Sequence, residues 1–189
     1  MKATLLEQWE EGRRVWADTE TLLPMLGEVC GKTVACLKNG GTIFTCGNGG
    51  SGADALHMTE EFVGRYKFNR RPLPSICLSA DTPLLTCIGN DFGFDYIFSR
   101  PLEAFAKKGD MLFGFTTSGN SKNIVEAFAQ AKKMGVTTIL MSGKDGGACA
   151  PLSDIPLIVP SQTTARIQEL HNFFFHSILE AVEDAFPPL

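Results

Sequence analysis

One stretch constrains this chain more than any other: Thr42-Ile-Phe-Thr-Cys-Gly-Asn-Gly-Gly-Ser-Gly-Ala-Asp-Ala-Leu-His-Met-Thr-Glu-Glu61. Thr42 to Cys46 is short, apolar and β-rich, which predicts a buried strand. Gly47 to Gly52 holds four glycines around Asn48 and Ser51. Such a run permits positive φ and lets backbone N–H groups approach a ligand closely. From Ala53 the sequence favours helix, with Asp54 expected in the first turn, where the helix dipole favours negative charge. Strand, glycine turn and helix N-terminus together make a site for a phosphate or another anion. Farther along the same helix, His57 and Glu61 are spaced i, i+4 and share a face that suits metal or proton chemistry.

The rest of the chain extends this unit into a sheet. Expected strands run Ser75–Ser79, Met111–Thr116, Thr137–Met141 and Ile155–Val159. Expected helices run Ala80–Gly89, from about Asp95 through Lys107, Lys122–Met134 and Ala165–Phe186. Gly64 to Pro74 reads as a loop by its prolines and charges. Apolar runs alternating with helices argue for an α/β fold, a parallel sheet covered by helices on both faces. Ahead of it, residues 1–38 form an N-terminal helical region, and 39–189 a single structural unit. In the helical region Leu5, Trp9, Gly12, Trp16, Thr19 and Leu23 lie at helical spacing, predicting one helix ending near Pro24. Leu26 to Leu37 predict a second, stopped by Gly40-Gly41. The tryptophans need cover, either on the body of the same chain or in a helix bundle between subunits.

A length of 189 residues, 44% hydrophobic content and a formal charge of −4 suit one globular domain and argue against nucleic acid as the main partner. The cluster Arg65, Lys67, Arg70 and Arg71 is expected to be a solvated loop. Six cysteines without a CxxC pair, and an N-terminus without the apolar core of a signal peptide, point to the reducing cytosol. No apolar run approaches the ~18 residues of a membrane span.

A second turn, Thr116-Thr-Ser-Gly-Asn-Ser121, repeats the strand-to-helix arrangement with hydroxyls in place of glycines. Hydroxyls and N–H groups at a helix N-terminus can seat a phosphate monoester without lysine. A plain hydroxyl-capped turn is the alternative for either loop alone; two on one sheet edge favour the ligand site. Gly47-x-Gly49-x-x-Gly52 also matches a dinucleotide fingerprint. That fingerprint asks for an acid about 20 residues on. Here the second strand ends near Asp81, more than 30 residues past Gly47, behind a proline-rich loop.

The chain has three histidines, at 57, 171 and 176. Gln168, Asn172 and His176 form an i, i+4, i+8 row on the last helix. His57 and Glu61 from one helix, with Gln168 and His176 from another, would suit Zn²⁺ or a similar divalent ion. A histidine on an apolar helix also fits a hydrogen-bonded core position, and spacing alone leaves both readings open.

Taken in order, Cys46-Gly-Asn-Gly-Gly-Ser51, Asp54-Ala-Leu-His57, Glu60-Glu-Phe-Val-Gly-Arg-Tyr66, Gly89-Asn-Asp-Phe-Gly93, Thr117-Ser-Gly-Asn-Ser121, Ser142-Gly-Lys-Asp-Gly-Gly147 and Arg166-Ile-Gln-Glu169 resemble the bacterial phosphoheptose isomerases of the SIS (sugar isomerase) family. The resemblance covers about Gly40 to His176. It implies a five-stranded parallel sheet flanked by helices, a cytoplasmic homotetramer whose N-terminal helices pack in the oligomer, and conversion of sedoheptulose 7-phosphate for activated-heptose synthesis. It carries zinc ligation onto His57, Glu61, Gln168 and His176. It carries sugar-phosphate contacts onto Asn48, Gly49, Gly50, Ser51, Asn90, Asp91, Thr116, Thr117, Ser118, Ser121 and Gln168. For a ketose–aldose isomerisation, Glu61 is expected as the base and His176 as the acid/base partner at the oxygens. Thr116 stands where some relatives have Ser, and Ala165 where some have an acid. Some SIS proteins are non-catalytic, such as the replication-initiator-associating protein, or sense sugar phosphates; retention of the four candidate ligands favours the enzyme.

A strand order 2-1-3-4-5 would set the first and fifth strands three steps apart, roughly 14 Å at ~4.8 Å per step. On that spacing, the last helix of one protomer is expected to complete the site opened by Gly47–Glu61 of another.

Overall fold

The structure is a computed structural model describing residues 4–186 and 188. Residues 1–3 of the N-terminal helical region lie outside the described residues. Five parallel strands, β1 (Ile43–Gly47), β2 (Ser75–Cys77), β3 (Met111–Thr116), β4 (Thr137–Gly143) and β5 (Ile155–Val159), form one sheet in the order β2-β1-β3-β4-β5. The helices are α1 (Leu5–Thr19), α2 (Leu23–Lys38), α3 (Gly49–Val63), α4 (Thr82–Asp91), α5 (Ser99–Phe105), α6 (Lys122–Met134) and α7 (Thr164–Ala185).

The sheet is buried on both faces, so strand residues divide by alternation. Ile43, Phe113, Phe115, Met141 and Leu157 join the core formed with α2, α3 and α7. Phe44, Cys46, Leu112 and Leu140 join the core beneath α4, α5 and α6. In register, Gly47 pairs with Phe115 and Thr116 with Ser142. The carboxyl ends of β1, β3 and β4 therefore finish level, and the turns after β1 and β3 lie side by side, where ligands enter open α/β sheets.

The bounds of β3, β5 and α6 agree with the expected ones. The N-terminal region differs. The expected first helix ends at Thr19 because a 3-10 turn, Glu20–Leu22, intervenes, and Pro24 opens α2. Proline is well placed there, since a first-turn N–H has no partner in the helix anyway. Thr4 caps α1 in a capping box with Glu7. Leu26, Val29, Cys36 and Leu37 put α2 in the main core beside α7. Trp16 packs on Phe173, ring centroids 4.9 Å apart, whereas Trp9 is 68% exposed.

Candidate active site

The helix after β1 begins earlier than its glycines suggest. α3 starts at Gly49 with Asn48 as its N-cap, so Gly49, Gly50 and Gly52 are helical and Asp54 lies in the second turn. Glycine is poor in a helix interior, but here it serves the entry and the space above it. Gly49 takes φ +54°, and a Cβ on Gly50 would sit 2.5 Å from Nε2 of Gln168. The missing side chain leaves room for α7 to lay Gln168 over the first turn of α3. No acid occupies that turn, so its N–H groups face the opening without a built-in counter-charge.

Asn48 and Ser51 meet Thr116, Thr117, Ser118 and Ser121 around a cavity of about 200 Å³ floored by Phe115. The second turn is held from within. Thr116 Oγ1 accepts from Gly119 N at 3.2 Å and lies 3.4 Å from Ser121 Oγ, and Ser118 Oγ accepts from Asn120 N. Asn123, in the first turn of α6, pairs its amide with that of Asn48. Sequence reasoning missed Asn123; its signal was a polar residue two positions after Ser121, buried on a helix that opens at the turn. Gly49 and Gly50 are exposed beside this cavity. Asn90 and Asp91 are not brought to it. They end α4, exposed, bonded to each other, and line neither this cavity nor the one of about 380 Å³ on the other side of the glycine turn.

Two turns along α3 a second cluster forms. His57 Nε2 is 3.5 Å from Glu61 Oε1, and the His57 ring meets His176 edge-on at 5.2 Å. Phe175 packs on both rings, and Tyr66 stacks on His176 at 5.6 Å with planes 21° apart. Glu60 also approaches: donor atoms of His57, Glu60 and Glu61 lie within 4.8 Å of one another. Glu60 was not singled out from the sequence, because i and i+3 acids on an exposed face are common. Burial, and then the neighbouring Glu60, push the Glu61 carboxyl above its ordinary value, against the pull of His57. Burial and the nearby His57 push the His176 imidazole below its own. The Glu61 carboxyl thus binds a proton more readily than usual and the His176 imidazole less readily, with the His57 ring next to both.

Within one chain, α7 itself reaches α3, so strand spacing gives no need for a helix from another protomer. α7 does not stand over β5; it runs back across the sheet face and packs along α2 and α3. Asn172 Nδ2 on α7 donates to Asp54 Oδ1 on α3 at 3.1 Å. Strand spacing sets where a helix leaves the sheet, not where its far end lies, and α7 is 22 residues long, about 33 Å. His57, Glu61 and His176 thus converge from one chain, while Gln168 lies nearer the glycine turn. His171, by contrast, is a core residue with Nε2 3.2 Å from Ser142 O. Arg70 corrects another expectation. It is 3% exposed and holds backbone carbonyls of α3, whereas Arg65, Lys67 and Arg71 are exposed.

Residues 10–143 match the SIS domain family. The chain is 50% identical over 186 residues to the phosphoheptose isomerase of Campylobacter concisus, covering 98% of each chain. The chain belongs to the phosphoheptose isomerase family. It is accordingly an isomerase. Its fold superposes on the phosphoheptose isomerase of Francisella tularensis with a TM-score of 0.92 at 33% identity, covering 96% of this chain and all of that one. The Neisseria gonorrhoeae enzyme gives 0.89 at 37%, with the same coverage.

Proposed function

We propose that the protein converts sedoheptulose 7-phosphate to D-glycero-D-manno-heptose 7-phosphate, the first step towards ADP- or GDP-heptose, in the cytoplasm. One observation carries this reading: a hydroxyl-lined anion cavity and an imidazole–carboxyl cluster lie along the same helix, α3. From Ser51 to His57 is six residues, about 9 Å of helix rise. Six C–C bonds of ~1.5 Å advance about 8 Å along an extended heptose, and the phosphate adds a few ångströms more. A substrate with its phosphate between the turns therefore places C1 and C2 at His57, Glu61 and His176. A triose phosphate falls short.

Thr116, Thr117, Ser118 and Ser121, with the N-termini of α3 and α6, bind the phosphate, and Asn48, Gly49, Gly50 and Ser51 shape the near side. Glu61 removes the proton from C1 of the ketose and returns it to C2 of the enediol. His176 moves the hydroxyl proton between the two oxygens. Tyr66 and Phe175 shield the imidazole from bulk water. Two imidazoles, a carboxylate and an amide are a donor set that fits Zn²⁺, so His57, Glu61, Gln168 and His176 are its proposed ligands. When bound, the ion would supply Lewis-acid polarisation of the substrate carbonyl.

The assembly proposed is a homotetramer. Leu5, Leu6, Trp9 and Trp16 expose an apolar stripe on α1, beside an open groove of about 530 Å³ that reaches Arg166 and Glu169 on α7. Solvent-facing tryptophan and leucine at helical spacing fit a helix partner. Asn90 and Asp91, exposed and lining neither cavity beside the glycine turn of their own chain, are proposed to reach a neighbouring protomer's substrate.

The decisive experiment is an assay of purified, metal-analysed protein with sedoheptulose 7-phosphate. Glu61→Gln is expected to lose turnover while retaining sugar-phosphate affinity. An active Glu61→Gln enzyme would refute the assignment of the base. Binding without turnover by the metal-loaded wild type would make this a non-catalytic relative.

A further inference from the structure

A buried ion pair lies just beyond the cluster, outside the residues assigned above. Arg70 follows α3 in the loop; Glu183 is in the last turns of α7. Their side chains are 1% and 2% exposed, with Arg70 Nε 3.4 Å from Glu183 Oε1. The contact is electrostatic only, since Nε makes no hydrogen bond. The hydrogen bonds go elsewhere. Arg70 Nη2 donates to Glu61 O at 2.7 Å, and Nη1 to Phe62 O at 3.0 Å and Arg71 O at 3.1 Å. Glu61 and Phe62 are in the last turn of α3, whose carbonyls have no onward helical partner. Glu183 accepts from three successive backbone N–H groups: Tyr66 at 3.2 Å, Lys67 at 2.9 Å and Phe68 at 3.1 Å.

The two halves of the pair therefore grip two different parts of the site. The guanidinium fork fixes the turn of α3 from which the Glu61 side chain projects. The carboxylate fixes the loop whose Tyr66 ring stacks on His176. His176 and Glu183 are seven residues apart on α7, two turns along one face, so both grips share one rigid element.

We propose that Arg70 and Glu183 are positioning residues, which hold the Glu61 carboxyl and the Tyr66-covered His176 ring in one fixed relation. A buried ion pair is weak evidence for stability, because well-packed apolar replacements often fold as well. Its geometry is specific, because arginine's planar fork reaches several carbonyls that lysine, a point charge, cannot hold together. The proposal rests on the roles given to Glu61 and His176.

The test uses Glu183→Gln, Arg70→Lys and the pair Arg70→Met/Glu183→Met in the metal-loaded full chain, with activity expressed per folded protein. The expected result is a loss of kcat of tenfold or more, with KM within threefold of wild type, in each folded variant. Tyr66→Leu, at a half-buried loop position that does not threaten folding, is expected to lower kcat at least threefold. At fixed pH, the Hε1 resonance of His176 is expected to lose the upfield ring-current shift imposed by Tyr66 in Glu183→Gln and in Tyr66→Leu alike. Folded variants with kcat within threefold of wild type, a KM that rises in step with the loss of kcat, or an unchanged His176 resonance in Glu183→Gln would overturn the proposal. A wild type without isomerase activity would instead sink the catalytic roles, and the His176 resonance would still report whether the pair positions the ring.

Discussion

Asn48 and Asn123 face each other as a closed amide pair, each donating a 2.9 Å hydrogen bond to the other. One caps α3 after β1; the other lies in the first turn of α6 after β3. The pair ties the turns after β1 and β3 at a fixed separation, so the cavity between them is formed in advance. Asn123→Ala removes both bonds, each contributing about 1 kcal/mol net. The expected outcome is a KM for sugar phosphate raised roughly tenfold, the equivalent of about 1.4 kcal/mol, with kcat changed much less. Inhibition by inorganic phosphate should weaken by the same factor. An unchanged phosphate inhibition constant would show that the turns hold their spacing without the pair.

Much of this arrangement was legible because it is local. The sharp boundaries of β3, β5 and α6 follow from apolar runs that end in turn residues, and the two anion turns are visible as composition. What escaped was set by tertiary packing. The glycines after Asn48 read as loop, yet α3 begins at Gly49, and Gly50 accommodates Gln168 from a helix over a hundred residues away. Arg70 read as one of four solvated charges, since nothing local marks the one whose fork closes the end of α3. The path of α7 is not set by strand spacing, which fixes where the helix leaves the sheet and not where its far end lies. The residue types of the cluster were identifiable; the convergence of His57, Glu61 and His176 within one chain depended on the path of α7.

The space around the glycines can be tested directly. Gly50→Ala brings Cβ against the far end of a flexible side chain, Gln168 Nε2 at 2.5 Å. Gln168 can swing away, so stability should change by less than about 1 kcal/mol, while zinc affinity falls. Gly119→Ala brings Cβ to 1.9 Å from the backbone oxygen of Gly146, at φ +68°. Neither backbone can yield without breaking the turn, and a loss of several kcal/mol is expected from overpacking and strain together. Thermal melts and zinc titrations of the two variants separate these outcomes; equal losses of stability would contradict the difference in what each Cβ meets.

Asn90 and Asp91 offer a test of shared sites. If Asp91 serves a neighbouring protomer, Glu61→Gln and Asp91→Ala each disable sites for different reasons. Assemblies mixed from the two inactive variants would contain some sites with a wild-type Glu61 from one chain and a wild-type Asp91 from another. Activity should reappear on co-expression and be absent from either variant alone. If Asp91 acts only within its own chain, every site in the mixture carries a defect and no activity returns.

His171 should leave a signature in the pH dependence of stability. It is fully buried, its Nε2 lies against Ser142 O, and its Nδ1 has no partner. Burial outweighs the Ser142 contact and lowers its pKa from 6.5 to about 4. Between those values the unfolded chain binds a proton that the folded chain refuses, so stability rises with pH across that window and is lost as pH falls through it. Two and a half units at ~1.4 kcal/mol each give a loss on the order of 3 kcal/mol by pH 4. Asp54 and Glu61 act in the opposite sense. Burial raises both, so above their unfolded values the folded chain binds the extra proton and stability falls as pH rises. The net curve mixes these contributions, and a difference experiment isolates one. His171→Gln keeps a donor for Ser142 O and removes the titration. Urea unfolding of metal-free protein from pH 4 to pH 7 should show the wild type gaining up to about 3 kcal/mol more than the variant over that range. Parallel curves would mean that the folded chain accepts a proton at His171 as readily as the unfolded one.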